Sequence, residues 1–161
     1  MGASSGKIFS VSTPRLRLST IVSMTGGSES AAAVLIADDN RDTREMYSLY
    51  LSMLGYRVAV AADGREAVQS ARSRRPDLIV MDLDMPEVDG WAAIRELQSD
   101  PMTATIPVIV VTGHDFKTEL KDVAIAVGAV SYLMKPCFPE DLAREVSGRL
   151  AVRRARMSAQ S

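Results

Sequence analysis

Cysteine is almost missing from this chain. Cys137 is the only one, so neither an intramolecular disulfide framework nor a multi-cysteine metal site can form, and a reducing cytoplasm is the expected compartment. Histidine is just as scarce: His114 stands alone and reads as a solvated loop residue. No apolar run approaches the roughly 20 residues that a bilayer span requires, which predicts a protein without a membrane segment. A basic face is missing as well. Residues 1–33 carry a net charge of +2 and residues 147–161 a net +4, leaving −7 in the middle of a chain whose total is −1. An acidic body with small basic ends lacks the footprint of a nucleic-acid-binding core. Length sets the last limit: 161 residues with 47% apolar content hold one domain with a real core, plus tails.

Three stretches are expected. Residues 1–32, rich in Ser, Thr and Gly without a sustained period, read as a disordered N-terminal tail or a mis-called extension, with Met24 as the natural start. Residues 33–152 form the domain, and 153–161 a short basic tail. Within the domain, strands are predicted at Ala33–Ala37, Arg57–Val60, the run Leu78–Met81, Pro107–Val111 and Ser131–Met134. Helices are predicted between them. The first follows a cap at Asn40 or Asp42, carries Tyr47, Tyr50, Leu51 and Leu54 at i, i+3, i+4 and i+7, and stops at Gly55. The second runs over about 65–73, the third starts near Trp91, the fourth spans about 117–127, and the last begins after Pro139. Strands alternating with helices predict an α/β fold: one doubly wound, parallel, five-stranded sheet.

The polar residues sit where the strands end. Asp38 and Asp39 end the first strand, Asp82 the third, Thr112 the fourth and Lys135 the fifth. With strand order 2-1-3-4-5 these ends are neighbours at the switch point, where such sheets bind ligands. Three carboxylates in one basin stay ionised together only with a cation among them, and an all-oxygen site with open water positions suits Mg²⁺. The backbone carbonyl of Asp84 can add a neutral ligand, Lys135 a positive charge and Thr112 a hydrogen-bond donor. These are the parts for phosphoryl transfer to a carboxylate.

The motifs Val34-Leu35-Ile36-Ala37-Asp38-Asp39-Asn40, Met81-Asp82-Leu83-Asp84-Met85-Pro86-Glu87-Val88-Asp89-Gly90, Val110-Val111-Thr112-Gly113 and Tyr132-Leu133-Met134-Lys135-Pro136 resemble the receiver domain of two-component response regulators, chemotaxis-regulator-like and flavodoxin-like in fold. The resemblance runs from about Val34 to Leu150. It implies that Asp82 accepts a phosphoryl group from a histidine of a sensor kinase or phosphotransfer protein. It implies also that Asp38 and Asp39 hold Mg²⁺, with Asp39 a direct ligand, and that Lys135 contacts the phosphoryl group. The switch it implies runs through Thr112, which moves towards phosphorylated Asp82, and Tyr132, which then swings inward, so that a downstream protein target meets a changed surface. Gly113 stands where alanine is frequent in the family, and Asp84 and His114 fall at positions that tune phosphate lifetime.

Met46, Leu49 and Met53 lie off the first helix's core stripe; with Pro136 they are candidates for docking a kinase helix. Too few residues follow Leu150 for a helix-turn-helix unit, so a stand-alone receiver, monomeric or weakly dimeric and without a DNA-binding domain, is expected. It would be a signalling phosphoacceptor that catalyses only its own phosphorylation and dephosphorylation. Two other readings remain open: a haloacid-dehalogenase-type phosphatase using Asp82-Leu83-Asp84, and a scaffold that binds partners without phosphate.

Overall fold

A computed structural model describes residues 30–113 and 119–161. Most of the expected tail and His114 lie outside the described residues. Five strands, β1 (Ala33–Ala37), β2 (Arg57–Ala61), β3 (Leu78–Met81), β4 (Val108–Thr112) and β5 (Ser131–Met134), form one parallel sheet in the order β2-β1-β3-β4-β5. The helices between and after them are α1 (Arg41–Met53), α2 (Gly64–Arg74), α3 (Gly90–Ser99), α4 (Glu119–Ala126) and α5 (Pro139–Ala159). This is the doubly wound α/β fold expected from the alternation of elements.

Successive strand residues point to opposite faces, and both faces are apolar here. Leu35, Ile79, Met81, Val108 and Val110 pack with Ala67, Val68, Ile94 and Leu97 of α2 and α3. Val34, Ile36, Leu78, Val80, Ile109 and Val111 pack with Tyr47 and Leu51 of α1 and Leu142, Val146 and Leu150 of α5. The inner strands β1, β3 and β4 therefore read as continuous apolar runs because each is covered twice, whereas the edge strands β2 and β5 stay partly exposed. At about 1.5–3 kcal/mol for each large side chain buried, these two layers dominate the stability.

Helix starts follow local chemistry. Asn40, Asp63 and Asp89 each accept a hydrogen bond from the backbone N–H three residues on, capping α1, α2 and α3. Gly55 and Gly128, at φ 93° and 113°, turn the chain after α1 and α4. One expectation fails: Leu54, placed on the buried stripe of α1, is 55% exposed. The helix ends at Met53, Leu54 is its C-cap, and the chain leaves the helical spiral before that side chain can face the sheet.

Helix α5 continues past Leu150 to Ala159, so the basic run begins on a helix. Arg153 donates to the carbonyl of Asp77, whose carboxylate accepts from the N–H of Ala33 at 2.8 Å, tying α5 to the starts of β1 and β3. Gly148 is an exposed interior residue of α5, and a Cβ there would meet nothing within 4 Å. Gly148→Ala is expected to stabilise the domain by about 0.5–1 kcal/mol by removing backbone freedom from the unfolded chain, read as a higher urea midpoint at unchanged slope.

Candidate functional site

Register brings the polar residues together. Ala37 pairs with Met81, so the residues that follow them, Asp38 and Asp82, emerge side by side from β1 and β3. The Asp82 N–H donates to the carbonyl of Ala37 at 2.8 Å and the Asp38 N–H to that of Ala61 at 3.1 Å. On the other side Thr112 pairs with Met134, and the Lys135 N–H donates to the Thr112 carbonyl at 2.9 Å. Sheet hydrogen bonds thus fix the backbone under each of these side chains.

The Lys135 ammonium lies 2.5 Å from Asp38 Oδ2 and 3.1 Å from Asp82 Oδ2, bridging two nearly buried carboxylates. Their other oxygens accept backbone N–H groups: Asp38 Oδ1 from Asn40 at 2.8 Å and Asp82 Oδ1 from Asp84 at 3.1 Å. Asp39 is exposed, and its carboxylate belongs to a cluster with Asp38 and Asp82 in which one oxygen from each lies within 4.8 Å of the others. Asp39, Asp82, Asp84, Met85, Pro86, Gly113 and Lys135 line an open cleft of about 520 Å³.

Charge in this cluster does not balance: three carboxylates face one ammonium. Burial pushes the Asp82 carboxyl up, against the Asp84 N–H and the Lys135 charge that favour its ionised form, and Asp38 adds repulsion. Burial also disfavours the charged form of Lys135, but the bond to Asp38 and the charges of Asp82 and Asp38 outweigh it and raise its pKa. The donor set is entirely oxygen, two negative charges remain in excess, and the cleft is open to water. That chemistry fits a hard, partly hydrated divalent cation.

Thr112 and Tyr132 lie on the strands expected for them, β4 and β5. Thr112 is wholly buried at the end of β4, and its Oγ1 finds no hydrogen-bond partner among the described residues. Tyr132 packs its ring against the core layer that contains Val108 and Val110; its hydroxyl is likewise buried without a described partner, and burial raises its pKa. Buried unsatisfied hydroxyls are uncommon, and these two lie on neighbouring strands.

Three contributors to the site carry little or no signal in the sequence pattern. Arg44 Nη1 donates to the carbonyls of Asp38 at 2.7 Å and Asp39 at 3.0 Å. Gly90 passes directly under the Asp82 backbone: a Cβ there would lie 2.1 Å from the Asp82 carbonyl oxygen. Tyr47 donates from its hydroxyl to the carbonyl of Cys137 at 2.8 Å, tying α1 to the loop after Lys135. The Asp89-Gly90 turn signal could have hinted at the second; nothing local announces the other two. Met46, Leu49 and Met53 are exposed at 43%, 66% and 75%, and Pro136 is exposed too.

Fold and cluster together define an open α/β domain with an acid–ammonium site at the carboxyl edge of its sheet. The chain belongs to the response regulator receiver domain family, whose model matches residues 34–147. It is 39% identical to protein PilH of Pseudomonas aeruginosa over 122 residues, which is 74% of this chain and 98% of that protein. It is 34% identical over 119 residues to the DNA-binding response regulator MtrA of Mycobacterium tuberculosis, 73% of this chain and 50% of that one. The chain thus spans about half the length of several curated relatives. In structure it is similar to the chemotaxis protein CheY4 of Vibrio cholerae, with a TM-score of 0.69 and 35% identity over 73% of this chain and 97% of that one. Among the described residues no helix is long and apolar enough to cross a membrane.

Proposed function

We propose that this receiver takes a phosphoryl group onto the Asp82 carboxylate from a phosphohistidine of a sensor kinase or phosphotransfer protein. A carboxylate oxygen of Asp82 bonds to phosphorus as the P–N bond breaks, the histidine ring keeps the bonding pair and takes up a proton, and an acyl phosphate results. The observation that carries this reading is the ammonium of Lys135 bridging Asp82 and Asp38 beside the cleft, with Asp39 alongside. Mg²⁺ held by Asp38, Asp39, Asp82 and the Asp84 carbonyl would neutralise the incoming phosphoryl oxygens. Lys135 is free to exchange a carboxylate for a phosphoryl oxygen without leaving its place. The phosphatase reading of Asp82-Leu83-Asp84 finds no support here, because the acids that accompany Asp82 come from the upstream strand β1.

The two unsatisfied hydroxyls supply the response. A phosphoryl group on Asp82 offers acceptors that Thr112 lacks among the described residues. A shift of Thr112 would change the packing of Tyr132 on the next strand, giving a two-state surface for a downstream protein. The match to PilH, which spans 98% of that protein, supports a receiver unit that can work by itself. The test is labelling by acetyl phosphate and by a phosphorylated kinase, each with Mg²⁺ or excess chelator. Rapid labelling only with Mg²⁺ is expected; equal labelling in chelator would contradict the cation's part in it.

Docking is proposed on the exposed residues Met46, Leu49 and Met53 of α1 and on Pro136. Leu49→Glu is expected to slow transfer from the kinase at least about tenfold, the loss of one buried apolar anchor. Labelling by acetyl phosphate should stay as it is. Slowing of both by the same factor would remove the docking role.

A further inference from the structure

We infer that Arg44 is a positioning residue for the divalent-cation site: its guanidinium clamps the loop between β1 and α1 and thereby holds the Asp39 carboxylate in place. The inference rests on the proposed cation site and adds a residue to its construction. Asp38 needs little help, since its two oxygens are already fixed by the Asn40 N–H and the Lys135 ammonium. Asp39 differs. Its side chain is exposed, so the direction of its carboxylate is set chiefly by the backbone at that residue. That backbone follows the last residue of β1 and precedes the cap of α1, and lies outside both ladders of hydrogen bonds. The bonds from Arg44 Nη1 to the Asp38 and Asp39 carbonyls, at 2.7 and 3.0 Å, brace this step, which otherwise carries the turn from the Asn40 N–H to Asp38 Oδ1.

The guanidinium suits the task because it is planar, always charged, and can serve two carbonyl acceptors at once. Arg44 stands in the first turns of α1, and its own N–H donates to the Asn40 carbonyl at 3.1 Å. The clamp is therefore anchored on a rigid element that is itself capped by the loop it holds. Residues that orient metal ligands without touching the metal commonly contribute about tenfold or more in affinity.

The opposing effect has the opposite sign, which makes the inference decidable. A positive charge near three carboxylates also repels a divalent cation, and its removal by charge alone would tighten binding about twofold. Arg41 supplies the control: it stands in the same turn with the same charge, but pairs with Glu45 at 2.7 Å on the exposed side.

The experiment is calorimetric titration of the full chain with MgCl₂, with folding verified by circular dichroism and thermal melting in chelator. Arg44→Ala is expected to weaken Mg²⁺ binding about tenfold, while Arg41→Ala leaves it unchanged or slightly tighter. In an Asp39→Asn background the effect of Arg44→Ala should fall below about twofold, because the carboxylate it positions is gone. If Arg44→Ala does not fold, Arg44→Gln carries the same readouts, with a loss of about threefold expected from an amide that can serve one carbonyl. Binding unchanged or tightened, or an equal loss with Asn at 39, would overturn the clamp and leave the cation site standing. No Mg²⁺ binding by the unaltered protein, or binding indifferent to Asp39→Asn, would overturn both.

Discussion

Asp82→Asn is expected to abolish labelling by every phosphodonor and, in the absence of divalent cations, to make the folded domain more stable. The first effect follows from removing the nucleophile. The second follows from burial: folding lifts the Asp82 carboxyl above its ordinary value, so the ionised form costs the native state. A group whose pKa is raised on folding gives full stability below its unfolded pKa and loses that contribution as pH rises through the folded value. At neutral pH the Asp82 charge is therefore a liability, offset only in part by Lys135 and the Asp84 N–H. Asn keeps an acceptor for the Asp84 N–H and leaves Lys135 its bond to Asp38. A gain of about 1 kcal/mol, or about 3 °C in melting temperature, is expected at pH 7 in chelator. The gain should vanish towards acid pH, where Asp82 itself is protonated. Saturating Mg²⁺ should shrink or reverse it, because the cation stabilises the unaltered protein more. A variant less stable at pH 7 in chelator would show that the acid cluster is not strained by its own charge.

Gly90→Ala is expected to be the most damaging single-methyl change near the site. The added Cβ would lie 2.1 Å from the Asp82 carbonyl oxygen and 2.7 Å from the Leu83 Cα, both backbone atoms that cannot rotate aside. Relief requires moving either the start of α3, capped by Asp89, or the end of β3, which carries Asp82. Overpacking of this kind costs about 3 kcal/mol, lowering the melting temperature by about 10 °C. Labelling of whatever protein remains folded should also slow, since the nucleophile shifts with the strand end. A variant that melts within a degree of the parent would mean that the loop yields freely and that Asp82 is less firmly set than its hydrogen bonds imply.

Much of this was legible from the chain. The apolar runs that end on Asp38, Asp82 and Thr112 announced both the inner strands and the edge at which the site lies, because a strand covered on two faces must be apolar throughout and turns polar where it leaves the sheet. Asn40 and Gly55 marked helix ends through a local hydrogen bond and backbone freedom, which depend on few neighbours. Leu54 was misplaced because a 3.6-residue period carries no record of where the helix stops. Arg44 was missed because a long flexible side chain reaches partners that only the folded loop creates. The approach of Gly90 to Asp82 is a matter of packing between two segments, and the depth of Thr112 and Tyr132 depends on how β4 and β5 are covered.

Trapping the phosphorylated residue chemically is the most direct check on the central claim that Asp82 becomes the acyl phosphate. The protein is labelled by acetyl phosphate with Mg²⁺, reduced with borohydride, which converts an aspartyl phosphate to homoserine, and mapped by peptide mass spectrometry. Homoserine at position 82, and its disappearance when chelator replaces Mg²⁺, is the expected result. Homoserine at position 38, 39 or 84 instead, or none under conditions in which the protein binds phosphoryl label, would contradict it.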